Sequence, residues 1–191
     1  GAGGAMLSVP ILLYIFDSTP QAATTAAIAV VLAAAISGLL PKIKSREVLF
    51  KEAFVIWALG LVTNVGFSII AHRLSDSVIT TGFSIVLLSA GTAMLIKPVA
   101  GTEKKIPLVW LVVISLVIGS MTGLFGIGGG FLAVPVLVLF FKNPQGKAAG
   151  TSLAIIALNS ITAFFGHYQN WSEVTWTVPI AMSISAVVIA R

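Results

Sequence analysis

Two glycine runs, each followed by a proline and then by hydroxyl side chains, are the features of the sequence best suited to bind a ligand. The first run, GAGG, covers residues 1–4, and the second, GIGGG, covers residues 126–130. Glycine weakens a helix but leaves its backbone N–H groups approachable, and the N-terminal end of a helix attracts anions. Close helix packing is the alternative role, and GSMTG, residues 119–123, has the spacing for it. We predict anion-binding helix ends formed by Gly1, Gly3, Gly4, Gly126, Gly128, Gly129 and Gly130, with structural roles for Pro10 and Pro135.

A second set of candidate ligands consists of hydroxyl and amide side chains within apolar segments. Each glycine run is followed by a pair of hydroxyl residues at the start of a predicted helix. Asn159 lies eight residues after Thr151, near the same helix face, and this spacing favours it over Asn64. Hydrogen bonding within or between helices explains most single hydroxyls, but recurrence in both halves gives a ligand role comparable weight. The predicted substrate ligands are Thr24, Thr25, Thr151, Ser152 and Asn159.

The two histidines are predicted to lie at the ends of spans. His72 stands beside Arg73, where an interfacial position with the polar tip in water is the ordinary arrangement. His167 belongs to FFGHYQNWSEVTW, which is typical of an aromatic belt at the membrane interface. A role for His167 in gating or substrate entry is the less favoured alternative.

The elements that must position these residues are membrane-spanning helices. Hydrophobic residues make up 58% of the 191-residue chain and charged residues 9%, against about a quarter charged in soluble domains. Apolar runs near the roughly 20 residues that cross a bilayer recur, without the alternation of barrel strands. We predict an all-α, polytopic transmembrane protein with spans at 22–40, 53–71, 78–96, 106–125, 148–166 and 174–190, and shorter pieces at 5–16 and 130–141.

The charged residues lie outside the middle of every predicted span. The net charge of +5 comes from a basic excess in short loops, which is typical of cytoplasmic loops and not of nucleic-acid binding. A membrane-embedded enzyme or a carboxylate relay would need titratable residues within the spans. The lack of cysteine excludes disulfides and thiolate metal sites. We therefore expect no catalytic residue, no metal, no cofactor and no nucleic-acid partner.

The chain is predicted to be an internal duplication. Residues 1–16 and 126–141 are identical at eight of sixteen positions, including matching glycines and a proline. The two transmembrane repeats would be 1–97 and 106–191, joined by a cytoplasmic linker at 98–105. A complete repeat would have about five segments, so one helix is expected to be missing from each end.

The loop charges predict that the two repeats are inverted. Three loops carry nine basic residues and three others carry only Arg73, so the basic loops are predicted to be cytoplasmic. Matching loops of the repeats then lie on opposite faces, as in secondary transporters. The apolar pieces after the glycines have about 12 residues, roughly 18 Å as a helix, which predicts short or re-entrant helices. The basic loops are 41–52, 97–105 and 142–147, and the others are 17–21, 72–77 and 167–173.

The segment GLFGIGGGFLAVPVL, followed by AAGTSLAIIALNSITAFFGH, resembles the TauE/SafE family of sulfite exporters and related anion permeases. The resemblance covers most of the chain, because the first half carries the same motif. It implies movement of sulfite, organosulfonates or related small anions across the cytoplasmic membrane. In the first half Ala5 stands where Gly130 stands in the second, and a Thr-Thr pair replaces Thr-Ser, so the two sites are expected to be unequal. The family motif positions are Gly126, Gly128, Gly129, Gly130, Pro135, Thr151 and Ser152.

These observations predict a multi-pass secondary transporter or exporter of the cell membrane. Its substrate would be a small sulfur-containing anion, such as sulfite or a sulfonate, moved by alternating access between two inverted halves. The expected partners are that anion and the lipid bilayer, with the oligomeric state open. A structural or receptor subunit is the alternative, and a membrane-embedded enzyme is less favoured. Paired glycine breaks argue against the subunit, and the lack of clustered titratable residues argues against the enzyme.

Overall fold

The computed structural model describes residues 2–71, 73–95, 108–125, 133, 137 and 145–189, which form helices joined by short turns. A short 3-10 helix, Tyr168–Glu173, follows the sixth α-helix. The predicted all-α, polytopic architecture is confirmed, while the predicted linker at 98–105 lies outside the described residues. The α-helices are α1 (Ala2–Tyr14), α2 (Pro20–Lys44), α3 (Phe50–Ala71), α4 (Asp76–Leu95), α5 (Leu108–Phe125), α6 (Gln145–Gly166) and α7 (Thr177–Ile189).

The helices coincide with the predicted apolar segments. Within the described parts of the chain, α2, α3 and α6 are long and apolar enough to cross a membrane, and α5 and α7 are shorter apolar helices. The bounds differ by up to four residues, at the end of α2, which is predicted at residue 40 and lies at Lys44. The last segment, predicted to begin at residue 174, begins as α7 at Thr177. The residues before it form the 3-10 helix and the turn that follows.

The start and end of α2 follow from its capping residues. The Thr19 side chain accepts a hydrogen bond from the Ala22 N–H at 3.3 Å, and Pro20 occupies the first turn, where a missing N–H costs nothing. At the other end, the Ser45 N–H donates to the Pro41 carbonyl at 3.0 Å. Arg46 then adopts a φ of 57°, in the left-handed region that ends many helices. The chain thereby turns towards α3.

The described part of the first helix, α1, has 13 residues, which span about 20 Å. Gly3 and Gly4 are helical residues of α1, and Pro10 lies within the same helix. The helix packs on α2. The predicted short or re-entrant helices after the glycine runs stay a prediction.

The short pieces of the two repeats bury corresponding positions. Leu12 of α1 lies in one apolar cluster with alanines of α2, and its repeat counterpart Leu137 lies in another with residues of α6. Ser8 and its counterpart Ala133 are buried as well. Each repeat thus presents the same two positions to the protein interior, which supports the duplication.

Helices α2 and α6, the corresponding long helices of the two repeats, pack side by side in opposite directions. Thr25, near the start of α2, contacts His167, just past the end of α6. Gly38, near the end of α2, faces Leu153, near the start of α6. Corresponding helices of an inverted repeat run in opposite directions, so this packing supports the inverted arrangement.

Helix α5 packs against α3 with their backbones in close contact. A Cβ atom added to Gly119 would meet the Gly60 carbonyl, and one added to Gly123 would meet the Asn64 carbonyl. Small residues allow membrane helices to approach this closely. The glycines of GSMTG therefore serve helix packing, which is the alternative role of glycine considered for this chain.

Contacts between the described parts of the loops agree with the groups that the predicted topology requires, while loop 97–105 lies outside the described residues. At one end, Glu47 of the α2–α3 loop lies against Gly146 in the first turn of α6. At the opposite end, the Gln21 side chain donates to the Leu74 carbonyl at 3.2 Å, which brings loops 17–21 and 72–77 together. We call the first of these the basic end, because it carries Lys42, Lys44, Arg46, Lys51 and Lys147.

Candidate functional site

The predicted site residues divide into those that the structure describes and those that it does not. Gly1, Pro135 and the second glycine run, with Gly126, Gly128, Gly129 and Gly130, lie outside the described residues, so their binding role stays a prediction. The predicted polar ligands are all described and almost fully buried. They are Thr24, Thr25, Thr151, Ser152 and Asn159.

Thr25 forms a buried contact with the end of the other repeat. Its hydroxyl donates to the Gln21 carbonyl at 2.8 Å and lies 3.3 Å from Nδ1 of His167. The other ring nitrogen, Nε2, lies 2.8 Å from the Gly123 carbonyl. Because a carbonyl only accepts, Nε2 carries a proton and donates it there. This group therefore joins α2, α5 and the end of α6.

Thr151, the repeat counterpart of Thr25, makes a matching contact at the basic end. Its hydroxyl accepts a hydrogen bond from the Leu49 N–H at 3.0 Å, in the turn that precedes α3. Thr25 contacts a residue that follows α6, and Thr151 contacts one that follows α2. Each threonine thus bonds to the turn after the long helix of the other repeat.

Asn159 is paired with Asn64, the less favoured of the two asparagines as a predicted ligand. The Asn64 Nδ2 group donates to the Asn159 backbone carbonyl at 3.0 Å and to its Oδ1 at 2.9 Å. Both side chains are buried, and Ser68 adds a long contact of 3.5 Å to Asn64 Oδ1. The two asparagines are therefore one unit that ties α3 to α6, and not competing candidates.

Three buried polar atoms in the described part of the chain have no hydrogen-bond partner. They are Thr24 Oγ1, Asn159 Nδ2 and Ser160 Oγ. An unpaired buried polar group is costly, and such groups in native structures commonly face a ligand or a water. All three can donate a hydrogen bond, which is the chemistry that an oxyanion requires. Ser160 was not among the predicted ligands, and as one of many small polar residues it carries no distinguishing pattern.

Ser152 is occupied within its own helix. Its hydroxyl donates to the Ala149 carbonyl at 2.8 Å. Local bonds of this type are common for serine in membrane helices, so the geometry explains Ser152 by helix structure. The substrate role predicted for it rests on its position in the repeat.

His167 lies just past the end of α6, as the sequence predicts, but its side chain faces the interior of the bundle. Its side chain is 2% exposed, whereas the adjacent Tyr168 is 60% exposed. The reason is local, because the His167 N–H donates to the Ala163 carbonyl at 2.9 Å and so continues the helical pattern of α6. His167 also follows Asn159 by eight residues, the spacing that Asn159 has from Thr151. That spacing is the sequence signal that could have placed it in the interior.

The interior of the described bundle is mainly apolar, and its buried polar side chains carry no fixed charge. Its buried polar side chains are hydroxyls, amides and the His167 imidazole, with no lysine, arginine, aspartate or glutamate among them. The ion pair found in the described residues lies at the basic end, where Lys42 Nζ is 2.6 Å from Glu47 Oε2. This hydrogen bond with Lys42 lowers the pKa of Glu47 below its ordinary value. Charge is therefore confined to the ends of the bundle, as the sequence predicts.

Apolar helices, three of them long enough to cross a membrane, with buried polar side chains that carry no fixed charge among the described residues, indicate a polytopic membrane protein. Comparison with known proteins gives the family. The family described as "Sulfite exporter TauE/SafE" matches residues 1–191, and the chain belongs to it.

Curated relatives agree with this assignment. The chain is 27% identical over 210 residues to "Probable membrane transporter protein YunE" of Bacillus subtilis, covering 95% of this chain and 76% of that protein. It is 26% identical over 195 residues to a "Probable membrane transporter protein" of Xylella fastidiosa, covering 98% and 74%. An 83-residue stretch is 36% identical to "Probable membrane transporter protein MJ0441" of Methanocaldococcus jannaschii, covering 41% and 31%.

No solved structure matches the chain significantly. The family and the names of the relatives indicate a membrane transporter and not an enzyme.

Proposed function

We propose that this transporter moves a small sulfur-containing anion, sulfite or a sulfonate, across the cytoplasmic membrane by alternating access between its inverted halves. The observation that carries the proposal is the set of unpartnered buried atoms on α2 and α6, namely Thr24 Oγ1, Asn159 Nδ2 and Ser160 Oγ. A sulfite or sulfonate group presents several acceptor oxygens to such donors. The family description names sulfite, which supports the same class of substrate.

The absence of fixed charge among the described buried side chains suits an anion that must leave again. Transport requires binding that is strong enough for entry and weak enough for release. Hydroxyl and amide donors bind an anion without the strong attraction of a buried lysine or arginine. The glycine-rich helix ends, including Gly128, would add backbone N–H groups to this donor set.

Alternating access is supported by the matching contacts of Thr25 and Thr151. They lie at opposite ends of the antiparallel α2–α6 pair, and each joins one repeat to a turn of the other. A rocking motion of one repeat against the other would open these contacts in turn. Each contact is thus a candidate closing point for one side of the pathway.

A flux assay in liposomes tests the proposal. The purified protein is reconstituted, and the uptake of sulfite and of methanesulfonate is followed with Asn159→Asp and Thr24→Val. Asn159→Asp keeps an oxygen for Asn64 but replaces the free amide donor by an acceptor, and Thr24→Val keeps the shape of the side chain. One hydrogen bond to a charged group contributes about 1.5–3 kcal/mol, so we expect uptake to fall about tenfold or more in each variant.

Ser84→Ala is the matched control. The Ser84 hydroxyl is exposed and donates to the Thr80 carbonyl of its own helix, so its loss should leave uptake unchanged. Gly128→Leu tests the glycine run separately and should abolish uptake. The proposal fails if the wild-type protein moves neither anion, or if the Asn159 and Thr24 variants transport as well as the Ser84 control.

A further inference from the structure

The imidazole of His167 is held on both sides by groups that define its protonation. Nε2 donates to the Gly123 carbonyl at 2.8 Å, and Nδ1 lies 3.3 Å from the Thr25 hydroxyl. The same hydroxyl is 2.8 Å from the Gln21 carbonyl, to which it donates its single proton. A hydroxyl that has donated its proton can only accept from Nδ1. All three hydrogen bonds therefore exist together only when both ring nitrogens carry protons.

The neutral ring fits the same place but leaves one hydrogen bond fewer in this group. Without a proton on Nδ1, the Thr25 hydroxyl can turn to donate to the ring and release the Gln21 carbonyl. The site thus has two hydrogen-bonded arrangements that differ by one proton. Histidine is the side chain whose ordinary titration falls between pH 5 and 8, which makes it the group best suited to switch between two such arrangements.

The charged side chains in the described turns near His167 lie at the exposed end of the bundle. The elements packed around the ring are α2, α3, α5, the end of α6 and the turns at that end of the bundle. The titratable or charged side chains that the described parts of these elements carry there are all exposed. They are Asp17, Arg73, Asp76, Tyr168 and Glu173. Among the described buried side chains, His167 alone can become positively charged.

We propose that His167 is a proton-binding site that couples proton movement to anion movement. The ring takes up one proton on Nδ1 from the water on the side where the anion enters, and releases it to the water where the anion leaves. A monovalent anion and the imidazolium together add no net charge to the interior, which avoids the large cost of an uncompensated charge in the membrane. This inference rests on the proposed transport of an anion.

Proton movement is measured with methanesulfonate, because this anion keeps its charge between about pH 5 and 8, the range in which histidine titrates. Liposomes contain a trapped pH-sensitive dye, and an inward methanesulfonate gradient is applied. We expect the lumen to acidify by one proton for each anion. We also expect the uptake rate to fall about tenfold for each pH unit above the titration midpoint.

His167→Gln is the informative variant, because its amide can still donate to the Gly123 carbonyl but cannot take up a proton. It should lose both the acidification and the pH dependence. His72→Gln replaces the other histidine of the chain and should behave as the wild type. If His167→Gln acidifies the lumen with the wild-type pH profile, the inference is wrong although the transport function stands. If no anion moves in the wild type, the proposed function fails first.

A titration that does not depend on transport decides whether His167 binds the proton. In His72→Gln protein with isotope-labelled histidine, His167 gives the single imidazole signal in an NMR spectrum. We expect it to titrate between about pH 5 and 8. Thr25→Val removes the acceptor for the Nδ1 proton and should lower the midpoint by about one pH unit, the effect of one hydrogen bond to a charged group. A ring that stays neutral down to about pH 5, or a midpoint that Thr25→Val leaves unchanged, overturns the proton site.

Discussion

A single methyl group at Gly119 should destabilise the bundle, whereas the same change at Gly66 should not. A Cβ atom at Gly119 would meet the carbonyl oxygen of Gly60 on α3 and come within 2.9 Å of its carbonyl carbon. Cβ atoms essentially never come within 3.0 Å of a heavy atom from another helix, so α3 and α5 would have to separate. A Cβ atom at Gly66 has nothing within 4 Å. The two substitutions therefore differ only in what the added carbon meets.

Two opposing contributions set the size of the effect. Alanine favours a helix over glycine by about 0.8–1.0 kcal/mol, and this gain applies at both positions. Overpacking costs about 1–3 kcal/mol, and the upper part of that range applies at Gly119 because backbone atoms must move. We expect Gly119→Ala to lower the free energy of unfolding by about 1–2 kcal/mol net. We expect Gly66→Ala to raise it by up to about 1 kcal/mol.

The measurement is an unfolding titration with SDS in mixed micelles, followed by the fluorescence of the four tryptophans. Gly60→Ala adds a Cβ atom to the same helix contact from the α3 side, and its free energy of unfolding should fall as in Gly119→Ala. Equal stability of the Gly119 and Gly66 variants would refute the close packing of α3 on α5. It would also remove the support for assigning GSMTG to packing.

Three further predictions follow from the described contacts. In a double-mutant cycle of Asn64→Ala and Asn159→Ala, we expect a coupling free energy of about 1 kcal/mol, whereas additive effects would show that the asparagines act independently. The ion pair with Lys42 lowers the pKa of Glu47, so its stabilisation is complete above the ordinary value of 4.5 and is lost as the pH falls through the lowered pKa. Thermal unfolding should therefore show Glu47→Gln less stable than the wild type above that pH, with the difference vanishing in more acidic solution; a difference that does not depend on pH would contradict this. Single cysteines at the exposed positions Asp17 and Lys147, in the matching loops 17–21 and 142–147, should react with an impermeant reagent from opposite sides of the membrane, and reaction from one side would refute the inverted repeat.

Hydropathy was sufficient to locate the helices, because every backbone polar group in lipid must be paired within its own segment. The predicted segment 53–71 and the observed α3, Phe50–Ala71, differ only at their start. Hydropathy does not predict which helices pack against each other. The glycines of α5 mark a contact face by their spacing, but the sequence does not show that this face packs on α3.

The candidate site was predictable in its residue types and not in its pairings. The buried positions of Thr25 and Thr151 follow from the repeat, because matching residues of a duplicated unit occupy matching environments. The bond from Asn64 to Asn159 joins residues 95 positions apart, and no local pattern in a single sequence encodes it. The aromatic neighbours of His167 predict its position at the end of a span, and its eight-residue spacing from Asn159 is the signal for its inward-facing side chain.

The two matching threonine contacts are alike in geometry and unlike in chemistry. Thr151 accepts from the Leu49 backbone N–H, a group that does not titrate, whereas Thr25 faces the His167 imidazole, which does. Under the proposed function, the closing contact at the basic end would thus be indifferent to pH, and the one at the opposite end would respond to it. The direction of net transport is set by the gradients and not by this asymmetry. Under the same proposal, the asymmetry places the proton-binding group at one end of the α2–α6 pair, and sequence symmetry between the two repeats cannot reveal it.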